Sequence, residues 1–176
     1  MCQNWPMVLR TPRPPLLWAL LAAGCFALVI GSFGLTARLD LHPCHLCIFQ
    51  RLLFMVLATL GVLAAWRAGR PSGRLAGLAI PPLALWGAGV AIYQSWLQAQ
   101  PPGSISCMAA EPGLIERLVE WLGQRLPELF LATGFCEEAE LIILGMTLAN
   151  WALVAFLACL ITAAWALLAA RPGRLR

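Results

Sequence analysis

The sequence predicts an all-α fold, a bundle of four transmembrane helices whose two termini both lie in the cytoplasm. Of its 176 residues, 61% are apolar and 11% are charged, whereas about half of a soluble domain is apolar and about a quarter is charged. Four apolar segments reach or exceed the roughly 20 residues that span a bilayer, at about residues 16–37, 44–66, 75–97 and 141–170. We therefore expect one integral membrane domain, residues 1–176, with outward-facing loops at about 38–43 and 98–140.

The arginines predict which helix ends face the cytoplasm, since the chain has no lysine. Cytoplasmic segments of membrane proteins carry an excess of basic residues. Most arginines lie in the two terminal segments and in the link between the second and third spans: Arg10, Arg13, Arg67, Arg70, Arg74, Arg171, Arg174 and Arg176. Every acidic residue falls on the opposite side. The net charge of +4 therefore reflects membrane topology and does not indicate nucleic-acid binding.

The spans differ in the residues that control helix geometry. The first contains small residues that permit close helix packing, namely Gly24, Gly31, Ser32 and Gly34. Pro43 needs no N–H partner and has a fixed φ, so it suits a position just before or at the first turn of the second helix. Pro81 and Pro82 are expected to kink the third helix or to delay its regular start. Tyr93 and Trp96, near its outer end, fit an interfacial aromatic belt.

The long outer loop is predicted to contain a short amphipathic helix over residues 114–126. Its apolar side chains recur at helical spacing and form one stripe, made of Leu114, Leu118, Trp121, Leu122 and Leu126. Beside a membrane, such a helix is expected to lie flat with its apolar stripe in the interface. Pro127 is expected to end it.

The stretch His-Pro-Cys-His-Leu-Cys-Ile-Phe-Gln-Arg, residues 42–51, begins the second span with a Cys-x-x-Cys pair. In a helix that starts there, Cys44, Cys47 and Arg51 lie at i, i+3 and i+7, on one face. Arg51 then lies roughly 6 Å deeper than Cys47, at about 1.5 Å per residue. Because a helix N-terminus activates a thiol for exchange and this bridge closes almost no loop, we interpret the pair as redox-active.

The remaining cysteines divide by their side of the membrane. Four of the seven lie in or at the outward connections: Cys44, Cys47, Cys107 and Cys136. An oxidising compartment favours disulfides, and the even number suggests two bridges, Cys44–Cys47 and Cys107–Cys136. Closing roughly 30 residues contributes about 3–4 kcal/mol in the chain-entropy account, so a purely structural Cys107–Cys136 bridge is an alternative. The others, Cys2, Cys25 and Cys159, are expected to have no functional role.

A metal site is the main rival interpretation of the motif. His42, Cys44, His45 and Cys47 are all zinc-ligand types. A zinc site, however, normally closes with ligands from a second segment, and the chain offers no second segment with such a pair. Covalent haem attachment requires a histidine directly after the second cysteine, and Ile48 occupies that position.

Arg51 and Gln94 are the polar residues within the spans that suggest a ligand. An arginine at mid-bilayer depth costs about 2.5–3.5 kcal/mol. Arg51 either extends toward the headgroups or holds a polar ligand head and stabilises an anion beside Cys47. Gln94, at similar depth in the third span, either adds a hydrogen bond to that ligand or serves packing.

These residues carry a resemblance to a known family. The segment from Cys44 to Arg51 resembles the signature of the DsbB family of bacterial inner-membrane thiol oxidases. Three further segments are similar to that family: Trp96-Leu97-Gln98, Gly134-x-Cys136, and Leu144-Gly145 followed by Trp151. With the topology, the resemblance covers about residues 15–170.

The resemblance implies a relay that oxidises a DsbA-like periplasmic protein of the thioredoxin fold and passes the electrons to membrane quinone, either ubiquinone or menaquinone. It implies that the partner's thiolate attacks Cys107 and that Cys136 is reoxidised through exchange with Cys44. Cys47 would face the quinone as a thiolate, beside Arg51. Gln94 stands about where the family often has a histidine of the quinone site. The protein would lie in the inner membrane with its redox site toward the periplasm.

Two other classes of protein stay open at this point. One is a non-enzymatic membrane protein whose outer cysteines are structural bridges or bind a metal. The other is a reductase of the quinone-epoxide type, which also has four core helices and Cys-x-x-Cys, but there the motif follows the loop cysteines and here it precedes them. Phe135 and Leu141 stand where the DsbB family frequently has an acidic residue and a tryptophan, and these departures bear on the choice of partner.

Overall fold

The computed structural model describes residues 14–101, 113–136 and 141–170. Its elements in chain order are the helices α1 (Pro14–Leu39), α2 (His45–Trp66), α3 (Pro71–Gln98), α4 (Leu114–Arg125) and α5 (Pro127–Phe130), the strands β1 (Ile142–Ile143) and β2 (Met146–Thr147), and helix α6 (Leu148–Ala169). Within these residues, α1, α2, α3 and α6 are long and apolar enough to cross a membrane. The all-α architecture with four membrane-spanning helices is therefore confirmed.

The four long helices form a closed bundle. Helix α1 packs against α2 and α6, and α3 packs against the same two helices. The centre holds fully buried apolar side chains such as Leu57, Ile80 and Phe156, and the ring of Phe156 stacks on that of Phe54 with centroids 4.1 Å apart. The outward faces are also apolar, with Leu85 and Ile161 more than 60% exposed. A bundle that is apolar inside and outside suits lipid, as expected of a multi-pass membrane protein.

The glycines that allow close helix packing lie in α2 and α3. A Cβ atom on Gly77 would lie 2.9 Å from the Trp18 ring, and one on Gly87 would enter the ring of Phe156. The close packing that the small residues of the first span could permit is not made at its glycines, because a Cβ on Gly24, Gly31 or Gly34 would meet nothing within 4 Å. Those glycines are exposed. Small size alone does not reveal which side of a helix meets a neighbour.

The start of α2 follows from the Pro43-Cys44 pair. Cys44 is the N-cap in extended conformation, with φ −82° and ψ 169°. Its Sγ accepts a hydrogen bond from the Cys47 backbone N–H at 3.4 Å, and its carbonyl accepts one from Ile48 N–H at 3.0 Å. The first bond pairs one of the N–H groups that a helix N-terminus leaves without a partner, and the second is the first regular bond of the helix. The sequence motif therefore fixes both the beginning of α2 and the position of its sulfur atoms.

Two boundaries differ from the predictions. Helix α3 begins at Pro71 and continues through Pro81 and Pro82, so these prolines do not delay its start. Helix α6 begins at Leu148 and not at residue 141, because residues 142–147 form a hairpin in which Ile142 pairs with Thr147. Leu144 and Gly145 make the turn with φ values of 52° and 78°. Glycine adopts such a left-handed conformation without steric cost, so an apolar run here turns back instead of continuing as a helix.

The loop helix α4 matches the predicted position, ending at Arg125, with Pro127 opening α5. It packs against α2 through a face that includes Val119, which is fully buried. Four residues of the predicted apolar stripe remain exposed: Leu114, Leu118, Trp121 and Leu126. Their location in the membrane interface stays a prediction.

Candidate redox site

Cys44 and Cys47 meet at the outer end of α2. Their Sγ atoms lie 3.2 Å apart and both cysteines are free thiols in this structure. Disulfide sulfurs are about 2.05 Å apart, so a small adjustment of the first helical turn would join them. Cys44 is buried and Cys47 is partly exposed. The predicted pairing of these two residues is geometrically accessible.

The end of the long loop is held against this first turn. The backbone N–H groups of Thr133 and Gly134 both donate to the carbonyl oxygen of Pro43, at 3.0 and 3.3 Å. A Cβ atom on Gly134 would collide with the carbonyl oxygen of His42, so this close approach requires glycine. This contact brings Cys136, two residues further along the chain, close to Cys44.

Cys136 is the third thiol of the site. A hydrogen bond from the Cys44 thiol lowers the pKa of Cys136, and burial opposes this effect. The backbone N–H of Leu46, in the first turn of α2, also donates to the Cys136 sulfur and lowers the pKa further. A helix N-terminus favours a nearby anion, so the position of Cys136 stabilises its thiolate form. The sulfur of Cys44 lies within reach of the Cys136 sulfur.

Gln94 extends from α3 to the cysteine pair. Its Nε2 donates to Cys47 Sγ at 3.0 Å and to Cys44 Sγ at 3.5 Å. The side chain is 2% exposed. The predicted alternative of simple packing accounts for its burial, but an amide N–H aimed at two sulfur atoms can also stabilise negative charge on either of them.

Arg51 lies inside the bundle, 8% exposed. Its Nη2 donates to Thr36 Oγ1 of α1 at 3.1 Å, and its guanidinium lies over the Phe33 ring with Cζ 4.1 Å from the centroid. These contacts hold the cation between α1 and α2. A guanidinium has five N–H donors, so it retains capacity for a ligand.

A cavity of about 510 Å³ connects these groups. Cys44, Cys47, Arg51 and Gln94 line it, together with apolar side chains from α1, α6 and the hairpin. The walls are largely hydrophobic, with a few polar groups at one end, a composition typical of sites for small apolar ligands with a polar head. Within the described residues, Gln98 adds a buried Oε1 that has no hydrogen-bond partner.

Other predicted residues stand apart from this group. Cys107 lies outside the described residues. Cys25 and Cys159 lie in the bundle interior, where their sulfur atoms are 3.5 Å apart. Among residues 14–101, 113–136 and 141–170, no group of three or more histidine, cysteine or acidic side chains is arranged to hold a metal ion.

The sequence reasoning missed three residues that shape the site. Gln50 is 5% exposed and donates from Nε2 to Gln94 Oε1 at 2.9 Å. Thr36 and Phe33 of α1 hold the Arg51 guanidinium. A polar residue in an apolar span, three positions after Cys47, was a usable signal for Gln50. No sequence signal identified the α1 residues, because their role depends on helix packing.

Comparison with known proteins places the chain in a family. The family profile described as "Disulfide bond formation protein DsbB" matches residues 14–166. A Disulfide bond formation protein B from Dechloromonas aromatica (strain RCB) is 43% identical over 140 residues, which cover 79% of this chain and 83% of the relative. One from Verminephrobacter eiseniae (strain EF01-2) is 36% identical, covering 86% and 84%. Another, from Paracidovorax citrulli (strain AAC00-1), is 33% identical, covering 99% and 97%. The chain therefore belongs to the DsbB family of disulfide bond formation proteins.

Proposed function

We propose that the protein is a quinone-dependent thiol oxidase of the bacterial inner membrane. It oxidises a periplasmic DsbA-like dithiol protein and passes the electrons to membrane quinone, which sustains disulfide formation in the periplasm. One observation carries this proposal: Cys136 contacts Cys44, while Cys47 lines an apolar cavity next to a buried arginine. Relatives named "Disulfide bond formation protein B" support disulfide formation as the outcome.

The first exchange takes place in the loop. In the proposed resting state, Cys107 is bonded to Cys136 and Cys44 to Cys47. A thiolate of the reduced partner attacks the Cys107 sulfur, forms a mixed disulfide, and displaces Cys136 as a thiolate. The partner's second thiol then displaces Cys107, so the partner leaves with a new disulfide and the loop retains two thiols.

The second exchange transfers the electron pair to the helix. The Cys136 thiolate attacks Cys44 Sγ, the Cys44–Cys47 bond breaks, and the electron pair passes to the Cys47 sulfur. Cys107 then displaces Cys44 from Cys136, which restores the loop disulfide and leaves Cys44 and Cys47 reduced. The Leu46 N–H supports this step because it stabilises Cys136 as the attacking thiolate, and the contact between Cys136 and Cys44 places the attacking sulfur next to its target.

The composition of the cavity supports quinone as the electron acceptor of the proposal. Quinone, when bound, accepts the two electrons and two protons released by the Cys44–Cys47 dithiol. Arg51 and Gln94 carry N–H donors that match carbonyl oxygens, and the apolar walls from α1 and α6 match a hydrocarbon tail. The unpartnered Oε1 of Gln98 offers an acceptor for a hydroxyl group, which a reduced quinone has and an oxidised quinone lacks.

A coupled assay in detergent tests the proposal. Purified protein, a reduced thioredoxin-fold dithiol partner and ubiquinone are mixed, and quinone absorbance is followed together with partner thiols. We expect thiol pairs and quinone to disappear one for one, in wild type and in the control variant Cys159→Ala, but not in Cys47→Ser. Folded wild-type protein that consumes neither ubiquinone nor menaquinone would contradict the proposal, and oxidation of more than one partner molecule per Cys47→Ser protein would contradict the relay.

A second variant separates the two exchanges. Cys136→Ser should stop oxidation of the partner, because the loop then has no disulfide to offer. Its Cys44–Cys47 pair should still be oxidised by added quinone, as measured by alkylation and mass spectrometry. A pair that stays reduced with quinone present would disprove this division between loop and helix.

A further inference from the structure

Gln50 belongs to a chain of buried amides that ends at the redox sulfur. Gln50 Nε2 donates to Gln94 Oε1 at 2.9 Å, and Gln94 Nε2 donates to Cys47 Sγ at 3.0 Å. Both glutamines are at least 95% buried. In an apolar span, a buried polar side chain is costly unless it is hydrogen-bonded. The apolar surroundings therefore favour the hydrogen bond between the two glutamine side chains.

The direction of the chain has a chemical consequence. A glutamine side chain carries an acceptor on one arm and donors on the other. Because Gln50 donates to the Gln94 oxygen, the amide of Gln94 presents its N–H to Cys47. With the opposite orientation, the carbonyl oxygen of Gln94 would face the sulfur and repel negative charge on it.

We propose that Gln50 is a positioning residue, which fixes the Gln94 amide so that an N–H donor faces Cys47 when that sulfur leaves as a thiolate. The inference rests on the proposed function, in which attack of Cys136 on Cys44 sends the electron pair to Cys47. A preorganised donor stabilises charge at the atom where it develops. Gln50 therefore acts on the sulfur through Gln94, without touching it.

Other charged and titratable groups surround the pair. Arg51 follows Gln50 in α2, and His42, Cys44 and Cys47 line the same cavity, while Cys136 contacts Cys44. All of them remain unchanged when Gln50 alone is replaced. Comparison of pH profiles between wild type and Gln50 variants therefore isolates a group introduced at position 50.

The variant Gln50→Glu gives the sharpest test. A protonated glutamic acid donates to the Gln94 oxygen as Gln50 does, but an ionised carboxylate only accepts, so Gln94 must rotate and present its carbonyl to Cys47. We expect a falling limb in the pH profile of quinone reduction that wild type lacks, with a loss of about tenfold or more. The matched control is Gln100→Glu, because Gln100 donates to Trp96 O and has no recorded bond to a sulfur, so no such limb is expected.

A double-mutant cycle covers the case in which Gln50→Glu does not fold. Because Gln50 also lines the cavity, the cycle is read from the alkylation rate of reduced Cys47, which needs no quinone. Gln50→Leu should lower that rate in the wild-type background and have no further effect in Gln94→Leu. A residue needed merely for packing would lower the rate equally in both backgrounds. Equal losses would overturn the proposal.

A second readout separates this inference from the proposed function. The alkylation rate of Cys47 in reduced protein, followed by peptide mass spectrometry across the pH range, needs no quinone. A step in the alkylation profile of Gln50→Glu supports the positioning role, even if wild type reduces no quinone and the proposed function fails. If wild type reduces quinone and Gln50→Glu follows the wild-type profile in both readouts, the inference alone is wrong.

Discussion

The contact between the loop end and the start of α2 can be broken at one residue. Gly134→Ala introduces a Cβ that collides with the His42 carbonyl oxygen, so the segment must move away from residues 42–44. The two N–H bonds to the Pro43 oxygen are then lost. At about 1 kcal/mol of net stabilisation for each bond, the loss is about 2 kcal/mol, or about 30-fold in the docked population.

We expect this variant to lose about 30-fold in the rate of partner-driven quinone reduction, because Cys136 reaches Cys44 only when the segment is docked. The rate driven by a small dithiol that reduces the Cys44–Cys47 pair directly should stay near wild type. Stopped-flow measurement of quinone absorbance with each reductant gives both rates. The matched control is Gly89→Ala, where a Cβ meets nothing within 4 Å.

Two results would refute this reasoning. If the partner-driven rate of Gly134→Ala stays close to that of wild type, docking of residues 133–136 does not limit the exchange. If both rates fall together, the substitution has damaged the fold or the helix start and not the docking contact. A thermal unfolding curve in detergent distinguishes general damage from a local effect.

Three further predictions follow from the site. Arg51→Met should raise the KM for quinone about tenfold or more, because a charged hydrogen bond to the quinone is lost. Disulfide exchange with the partner should be retained in this variant. Unchanged quinone kinetics would show that Arg51 is not part of the quinone site. Cys44→Ala removes the hydrogen bond that lowers the pKa of Cys136, so that pKa should rise and alkylation of Cys136 at neutral pH should slow, as measured by rate–pH profiles with the loop disulfide reduced. The double variant Cys25→Ala/Cys159→Ala should keep the relay rate of wild type and lower only the unfolding temperature, because these thiols lie 3.5 Å apart in the bundle interior; a slower relay at full quinone occupancy would contradict this.

The sequence was sufficient for the helices and for the cysteine motif. Segments of about 20 apolar residues have few alternatives to a membrane helix, and Pro43 before Cys44 determines where α2 begins. It was insufficient for the hairpin before α6, because hydropathy cannot distinguish an apolar turn from an apolar helix. Leu144 and Gly145 form the turn at positive φ, but a leucine followed by a glycine is only a weak sequence signal for a turn.

The residues of the site could be predicted from the sequence, but the contacts between them could not. Spacing puts Cys44, Cys47 and Arg51 on one helical face, whereas the contact between Cys136 and Cys44 depends on a chain segment that returns from far along the sequence. Gln94 was identified by its depth in the span. Its link to Gln50 depends on the rotation of α3 relative to α2, which a single sequence does not encode in any local pattern.

Cys44 caps α2 with the same sulfur that exchanges partners in the proposed relay. Its Sγ accepts the Cys47 N–H, so each time the sulfur bonds to Cys136 or to Cys47 the cap must be remade. A cap is worth about 1 kcal/mol, little enough to be broken and reformed in every cycle. Pro43 has no N–H to lose in this motion. In the proposed relay, the first turn of α2 therefore acts as a soft hinge above the packed bundle.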